Sequence, residues 1–242
     1  PFENSSIQAL FHMLPGRPKA PTIIFFPGMD MCKETCIDPA KNPFLTRGFN
    51  ALVIDGPGQG MSNIRGIKVT KDSYERAAME CISWLLKRPE VDPDKPCPVG
   101  FSFGTFMNAR VFALDKRLKA AAGLACGCST KVDNFGKTLE YTGLGRKQVC
   151  MYMTGNEDEV EFDRFACSMH DEDVMPLSDR PILIQSGEFD PIVPIEIVEN
   201  LFDRIPGPKE LWVLEDSYHC GVRENLPNFG DVPPVLFVAD WL

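Results

Sequence analysis

The chain has 242 residues, of which 44% are hydrophobic and 24% charged, and this balance is typical of a globular protein with a substantial core. Its formal net charge of −9 argues against nucleic acid and anionic membrane surfaces as partners. No apolar run reaches the ~18 residues that a membrane-spanning helix needs, and the first residues lack the pattern of a signal peptide.

The cysteine and histidine content argues against a metal centre. The chain has nine Cys and three His, the number of Cys is odd, and there is no C-x-x-C pair. Most of the Cys lie in apolar segments, which favours reduced thiols in a cytoplasmic protein over a disulfide framework. We therefore expect no metal. We also expect no cofactor, and a small molecule as the substrate. The sequence also allows a homodimer.

The first half of the chain alternates predicted strands and helices. Residues 22–26 are apolar without alternation, which is typical of a strand buried on both faces. Residues 55–60 (DGPGQG) follow the next buried strand. We interpret them as a tight turn and not as a phosphate-binding loop, because Pro57 removes a backbone donor. The predicted elements are strands at 6–14, 22–26 and 50–54, a helix at 72–86 and a proline-rich connection at 89–98.

The second half continues this alternation around one long insertion, residues 129–179. Helical pieces are predicted there at 138–141 and 162–169, and the acidic run at 156–159 is interpreted as a solvated helix surface. The other predicted elements are strands at 97–99, 120–125, 181–185 and 210–214, and helices at 105–114, 195–203 and 232–242. The alternation predicts an α/β fold with a doubly wound, mostly parallel sheet. We expect residues 1–242 to form a single domain, with 129–179 as a helical lid.

One pentapeptide, GFSFG at 100–104, matches the pattern G-x-S-x-G. In this pattern a serine lies on a sharp turn between a strand and a helix, and the glycines on either side let the turn close. A short apolar stretch precedes the pentapeptide, and an apolar segment free of Gly and Pro follows it. This context favours a true strand–turn–helix over a chance match, so Ser102 is the predicted nucleophile.

A serine hydroxyl needs an adjacent base, normally a His that a carboxylate orients, and the expected chain order is Ser, acid, His. Of the three His, His219 follows the last strong predicted strand, whereas His12 lies in the first strand and His170 lies within the insertion. Asp190 follows the preceding strand, and Glu188 is the second choice for the acid. These positions place the predicted site at the carboxyl edge of the sheet.

The loop after strand 22–26, residues 27–30, is predicted to help bind the oxyanion of the reaction and is called the oxyanion loop. Gly28, at the carboxyl end of a buried strand, allows backbone N–H groups to face a ligand. Attack by a serine creates an oxyanion, which backbone donors of this loop and of the residue after the nucleophile stabilise. We assign the two donors to the backbones of Met29 and Phe103.

Together these motifs resemble the α/β hydrolases, and more closely the group of 2,6-dihydroxypseudooxynicotine hydrolase and fungal heptaketide (naphthopyrone) hydrolases. The resemblance lies in GMDxxKE at 28–34, DGPGQG at 55–60, the pentapeptide, and the pair Asp190 and His219, and it runs over nearly the whole chain. It implies an α/β-hydrolase fold and hydrolysis of a carbon–carbon bond in an acylated aromatic or polyketide-like ketone of secondary metabolism, such as pigment biosynthesis. Such proteins usually carry an N-terminal helical segment, which we expect to be missing here because the chain opens inside a predicted strand.

Cleavage of a carbon–carbon bond is helped by a further acid near the leaving carbon. Glu34 and Asp133 are the candidates, because both follow predicted strand ends on the side of the site. For Glu34 the alternative is an ion pair with Lys33 or Arg47 that supports the oxyanion loop, and for Asp133 it is a helix cap. Two other functions stay open: a carboxylesterase or thioesterase of the same fold, and a non-catalytic binding protein with a hydrolase fold.

Overall fold

A computed structural model describes residues 1–16, 19–38, 40–125, 129–131, 144–221 and 234–242. Within these residues, seven strands form one sheet in the order β1-β3-β2-β4-β5-β6-β7. β1 runs antiparallel to β3 at one edge, and the other neighbours are parallel. The strands are β1 (Gln8–His12), β2 (Ala20–Phe26), β3 (Asn50–Asp55), β4 (Val91–Phe101), β5 (Ala121–Leu124), β6 (Ile182–Gly187) and β7 (Lys209–Leu214).

Helices connect the parallel strands. The α-helices are α1 (Lys33–Cys36), α2 (Gly60–Ile64), α3 (Ser73–Leu85), α4 (Phe103–Leu114), α5 (Leu144–Thr154), α6 (Glu159–Cys167), α7 (Ile195–Asp203) and α8 (Pro234–Trp241). Short 3-10 helices lie at Leu45–Arg47, Met175–Leu177 and His219–Gly221. No helix of the described ranges is long and apolar enough to cross a bilayer.

Both faces of the sheet are covered by apolar side chains. Successive residues of a strand point to opposite sides, so neighbours within one strand pack in different clusters. In β2, Ile24 and Phe26 pack in one apolar cluster with residues of α3, α4 and α7. Ile23 and Phe25 pack in another cluster, with α8 and with side chains of residues 37–49. A strand buried on both sides has no polar alternation, as the sequence of β2 predicts. The predicted fold class, a doubly wound and mostly parallel sheet, is therefore confirmed.

The proline-rich connection predicted at 89–98 is wrong, since Val91–Phe101 forms the long strand β4. A shift in register against β2 accommodates the mostly exposed residues 92–95. Pro96 and Pro98 precede the part of β4 that pairs with β5, so the missing N–H groups do not interrupt that ladder.

The insertion between β5 and β6 packs two helices over one end of the sheet. The helical piece predicted at 162–169 corresponds to α6, whereas α5 was not predicted, and the piece predicted at 138–141 lies outside the described residues. Asp158 caps α6, because its side chain accepts a hydrogen bond of 2.9 Å from the N–H of Glu161. The acidic run at 156–159 thus lies at a solvated helix start, where the helix dipole favours negative charge.

Candidate active site

Ser102 occupies a strained turn between β4 and α4. Its φ of 52° is rare for a residue other than glycine, and its N–H donates to the carbonyl oxygen of Leu124 at 2.9 Å. A Cβ atom on Gly104 would lie 1.9 Å from the carbonyl oxygen of Phe26, and one on Gly100 would lie 2.4 Å from that of Gly104. Both glycines are therefore needed for the close approach of strand and helix that holds Ser102 at the edge of the sheet.

A continuous chain of hydrogen bonds joins Ser102, His219 and Asp190. Ser102 Oγ lies 2.7 Å from His219 Nε2, and His219 Nδ1 lies 2.6 Å from Asp190 Oδ2. These distances let the hydroxyl donate to Nε2 when Nδ1 carries the ring proton. The three side chains come from positions beyond the carboxyl ends of β4, β7 and β6, so the structure brings together the trio that the sequence predicts.

The carboxylate of Asp190 is oriented by its own loop. Its side chain is 0% exposed, and Oδ1 accepts hydrogen bonds from the N–H groups of Ile192 at 2.8 Å and Val193 at 3.1 Å. These bonds leave Oδ2 for the histidine. Glu188, the second choice for the acid, accepts instead from the N–H of Asp216 at 3.0 Å.

The pKa of His219 is raised from its ordinary value of 6.5 to about 9. Burial disfavours the charged ring and lowers the pKa, but hydrogen bonds and charge interactions with Asp190 and Cys220 outweigh the effect of burial. The imidazolium that forms when the ring accepts a proton is therefore stabilised.

The other two histidines lie away from this trio. His12 is on the edge strand β1, where its Nδ1 lies 3.2 Å from Asn42 Nδ2. His170 is in the insertion, and its Nε2 lies 4.0 Å from a carboxylate oxygen of Asp173. Neither ring lines the cavity beside Ser102.

Two buried polar side chains fix the loop after β2. Gln59 Nε2 donates to the carbonyl oxygens of Pro27 at 3.1 Å and Gly28 at 2.6 Å, and the hydroxyl of Tyr74 donates to Gln59 Oε1 at 3.0 Å. These bonds set the orientation of the peptide groups that lead into Met29. The sequence reasoning missed this role, because DGPGQG indicates only a tight turn when its spatial neighbours are unknown.

Both predicted oxyanion donors lie next to Ser102. Met29 lines the same cavity, and its N–H has no acceptor among the residues that the structure describes. Phe103 directly follows Ser102 as the first residue of α4, where the helix dipole favours negative charge. These positions are those of the two backbone donors that bind the oxyanion in serine hydrolases.

A buried ion pair supports the same loop further along the chain. Lys33 Nζ lies 2.8 Å from Asp55 Oδ2, and Asp55 Oδ1 accepts the N–H of Lys33 at 2.8 Å. Burial lowers the pKa of Lys33, but the hydrogen bonds and charges of Asp55 and Glu34 raise it above the ordinary value. The lysine is therefore charged, and it neutralises a carboxylate that water does not reach.

Of the two candidates for an auxiliary acid, one is described by the structure. Glu34 is 56% exposed, it lies 2.7 Å from Lys33 Nζ, and it does not line the cavity beside Ser102. Of its two alternative partners, Lys33 is the one found, whereas Arg47 pairs with Asp240. Asp133 lies outside the described residues.

A cavity of about 430 Å³ adjoins Ser102. Three parts of the chain line it: the loop after β2 at 28–30, the turn of Ser102 and the region of His219 at 101–102 and 219–220, and helix α5 of the insertion at 145–149. The insertion also packs on the oxyanion loop, since the buried Cys150 has its Sγ 3.0 Å from Met29 Sδ. The pocket is thus shared between the sheet edge and the insertion.

The described residues contain neither a disulfide nor a cluster of metal ligands. The cysteines in the described ranges are free thiols, and Cys126 and Cys128 lie outside those ranges. The described residues contain no group of three or more His, Cys, Asp or Glu side chains arranged to hold a metal ion.

Comparisons with known proteins give partial relatives in sequence. No family model matches the chain. The chain is 32% identical over 120 residues to the hydrolase pyiE of Pyricularia grisea, a match over 46% of this chain and 25% of that protein. It is 31% identical over 130 residues to the esterase FrsA of Escherichia fergusonii, over 53% of this chain and 31% of FrsA. It is also 25% identical over 114 residues to the polyketide transferase ATR5 of Stachybotrys chlorohalonatus, over 47% of this chain and 38% of ATR5.

The fold has a fuller match among solved structures. The crystal structure of 2,6-dihydroxy-pseudo-oxynicotine hydrolase superposes with a TM-score of 0.82 over 97% of this chain and 63% of that chain, at 23% sequence identity. The chain thus spans less than two thirds of this structure and of each of the curated relatives above. With its mostly parallel seven-stranded sheet and the serine on the turn after β4, the chain has the α/β-hydrolase fold.

Proposed function

We propose that the chain is a serine-dependent hydrolase. Ser102 is the nucleophile, His219 transfers protons, and Asp190 orients the ring and stabilises its charged form. The observation that carries the proposal is the continuous hydrogen-bond chain from Ser102 Oγ through His219 to the buried Asp190, beside a cavity of about 430 Å³. In this proposal the insertion at 129–179 is the lid of the pocket.

The first half of the reaction follows from this geometry. His219 Nε2 takes the hydroxyl proton while Ser102 Oγ attacks the substrate carbonyl carbon. The carbonyl oxygen becomes an oxyanion, which the N–H groups of Met29 and Phe103 stabilise. The charged ring formed in this step is held by Asp190, which accepts from Nδ1.

The preferred substrate is an acylated aromatic or polyketide-like ketone. The tetrahedral intermediate collapses by breaking the bond from the former carbonyl carbon to the leaving carbon, and the electron pair goes to that carbon. The electron pair must be delocalised onto oxygen, as an enolate or, where a phenolic ring reacts through its keto tautomer, as a phenolate, and the imidazolium of His219 returns the proton to this leaving group. A water deprotonated by the same ring then attacks the acyl-serine and releases a carboxylic acid and free Ser102.

Support for this preference comes from the resemblance of the motifs and from the relatives. The solved structure with a TM-score of 0.82 is a 2,6-dihydroxy-pseudo-oxynicotine hydrolase, and one curated relative is a polyketide transferase. The second candidate is an ester or thioester hydrolase, which the likeness to the esterase FrsA favours. The same trio would serve it, with an alkoxide or thiolate as the leaving group. A non-catalytic binding protein is the third candidate, and it gives no reason for the aligned hydrogen bonds of Ser102, His219 and Asp190.

Three substrates separate these candidates. Purified protein is incubated with 4-nitrophenyl butyrate, a short acyl thioester and 1-phenyl-1,3-butanedione, and the products are identified by mass spectrometry. We expect cleavage of the diketone into a carboxylic acid and a methyl ketone, and loss of this cleavage in Ser102→Ala. Fast ester or thioester turnover without diketone cleavage would replace the first candidate by the second. Equal turnover by Ser102→Ala and the unaltered chain would reject both.

A further inference from the structure

We propose that Arg146 binds an anionic oxygen group of the substrate, so that the preferred substrates carry a carboxylate in addition to the bond that is broken. The reaction named in this inference rests on the proposed function, whereas the anion site rests on the side chains around the cavity. Arg146 lies in the first turn of α5 and lines the cavity together with Ser102 and His219.

Arg146 is half-buried, and its guanidinium has no protein partner among the described residues. Every other described arginine that is not exposed has a carboxylate within 4.0 Å. The remaining described arginines without such a carboxylate, Arg65 and Arg164, are exposed to solvent. A cation that is partly removed from water and unpaired is unusual, and its position in a substrate-sized cavity indicates that a ligand supplies the anion.

The neighbouring charges support this assignment. Lys147, the next residue, has its Nζ 2.8 Å from a carboxylate oxygen of Asp163 and 3.1 Å from one of Glu159, so its charge is used inside the insertion. Asp30 also lines the cavity, but it is exposed and makes no ion pair with Arg146. The positive charge of Arg146 is therefore available at the pocket.

The chemistry of the guanidinium indicates which kind of anion Arg146 binds. A guanidinium presents a planar fork of N–H donors that matches the two oxygens of a carboxylate, and the bond is stronger where water is partly excluded. The net charge of −9 does not attract anions to the protein from a distance, so selectivity for an anionic substrate has to come from a local cation. Among the described lining residues His219 can also carry charge, but the adjacent Asp190 balances it, so Arg146 is the cation that can supply this selectivity.

The first test compares charged and neutral esters. The anion is placed on the acyl side in mono(4-nitrophenyl) succinate, against 4-nitrophenyl pentanoate, and on the leaving group in 4-acetoxybenzoate, against phenyl acetate. In Arg146→Gln we expect the ratio of kcat/KM for the charged ester to that for its neutral partner to fall at least tenfold in one of the pairs. Arg146→Lys should retain part of the ratio, because it keeps the charge but not the fork. Unchanged ratios in both pairs would overturn the inference.

The matched control is Arg164→Gln, which removes the same charge from α6 at an exposed site that does not line the cavity. We expect this variant to keep both ratios. If it lowers them as much as Arg146→Gln does, the effect is one of overall charge and Arg146 is not the anion site.

A binding experiment separates failure of the inference from failure of the proposed function. Isothermal titration of Ser102→Ala with the charged and the neutral ester of each pair needs no turnover. Tighter binding of the charged ester in one pair that is lost when Arg146→Gln is added supports the anion site, even if the unaltered chain hydrolyses nothing. Equal binding of the charged and neutral esters within both pairs, in a chain whose unaltered form does hydrolyse them, overturns the anion site and leaves the proposed function in place.

Discussion

Gln59 Nε2 lies 2.6 Å from the carbonyl oxygen of Gly28, so a side chain of the loop after β3 holds the backbone of the loop after β2. The same nitrogen also donates to Pro27, and Tyr74 orients the amide from the other side. Because Met29 follows directly, the direction of its N–H depends on Gln59, which is a positioning residue in the proposed mechanism.

Replacing Gln59 with leucine should therefore lower kcat about 10- to 100-fold, with KM changed less than about threefold, because misplacing one oxyanion donor weakens transition-state binding most. Tyr74→Phe keeps the amide and should cost less than Gln59→Leu. Steady-state kinetics on an aryl ester measure the split. A loss that appears only in KM, or only as a lower melting temperature, would show that Gln59 does not act through the oxyanion loop.

The two acidic residues after β6 make a matched pair. Asp190→Asn should reduce kcat/KM by about 10²- to 10⁴-fold, because the amide can hold the ring in the wrong tautomer. Glu188→Gln should change it less than about threefold, since Glu188 bonds to the N–H of Asp216 and not to the histidine. A larger loss in Glu188→Gln than in Asp190→Asn would show that Glu188, and not Asp190, orients the histidine.

The raised pKa of His219 has a consequence for the pH profile. The neutral ring is the base, so its fraction grows as the pH rises through about 9, and kcat/KM should rise over the same range. Asp190→Asn removes the main group that raises the pKa, so the midpoint of this limb should move to lower pH. The profile from pH 5 to 10.5 on a neutral ester measures both. A midpoint at or below the ordinary histidine value of 6.5 in the unaltered chain would contradict the expectation.

Two glycines should respond in opposite ways to the same methyl group. Gly104→Ala places a Cβ 1.9 Å from the carbonyl oxygen of Phe26, which is backbone and cannot move aside, so we expect a loss of several kcal/mol in the free energy of unfolding or failure to fold. Gly145→Ala, in the first turn of α5, meets nothing within 4 Å and should be neutral or stabilise by up to about 1 kcal/mol. Urea titrations compare them. Equal midpoints would mean that β2 and α4 do not touch at Gly104.

Local signals were sufficient for much of the fold. The helix predicted at 195–203 has the bounds of α7, and the apolar runs at 22–26 and 181–185 correspond to β2 and β6, which have a neighbouring strand on each side. The residues of the trio were found because only three histidines had to be placed and because strand ends mark the edge of the sheet where sites form. These inferences needed only composition, period and chain order.

Other features depended on contacts between distant residues. The prolines of residues 91–98 indicate a loop locally, whereas their place before the β5 pairing lets them lie in β4. Helix α5 has a weak apolar face of its own and packs through Cys150 against Met29, more than a hundred residues earlier. Arg146 therefore looks like an ordinary surface charge in the sequence, and only the folded chain places it beside Ser102.

Because Cys150 contacts Met29, a change in the insertion that alters substrate specificity also affects the turnover rate. The backbone N–H of Met29 belongs to the proposed oxyanion hole, whereas its side chain packs in the core of the insertion. An insertion transplanted from another hydrolase would therefore pack differently against the side chain of Met29, and this would shift the backbone N–H of Met29. A change of substrate specificity in this fold would therefore require a compensating substitution at position 29. Chimeras without it should bind their new substrates well and turn them over slowly.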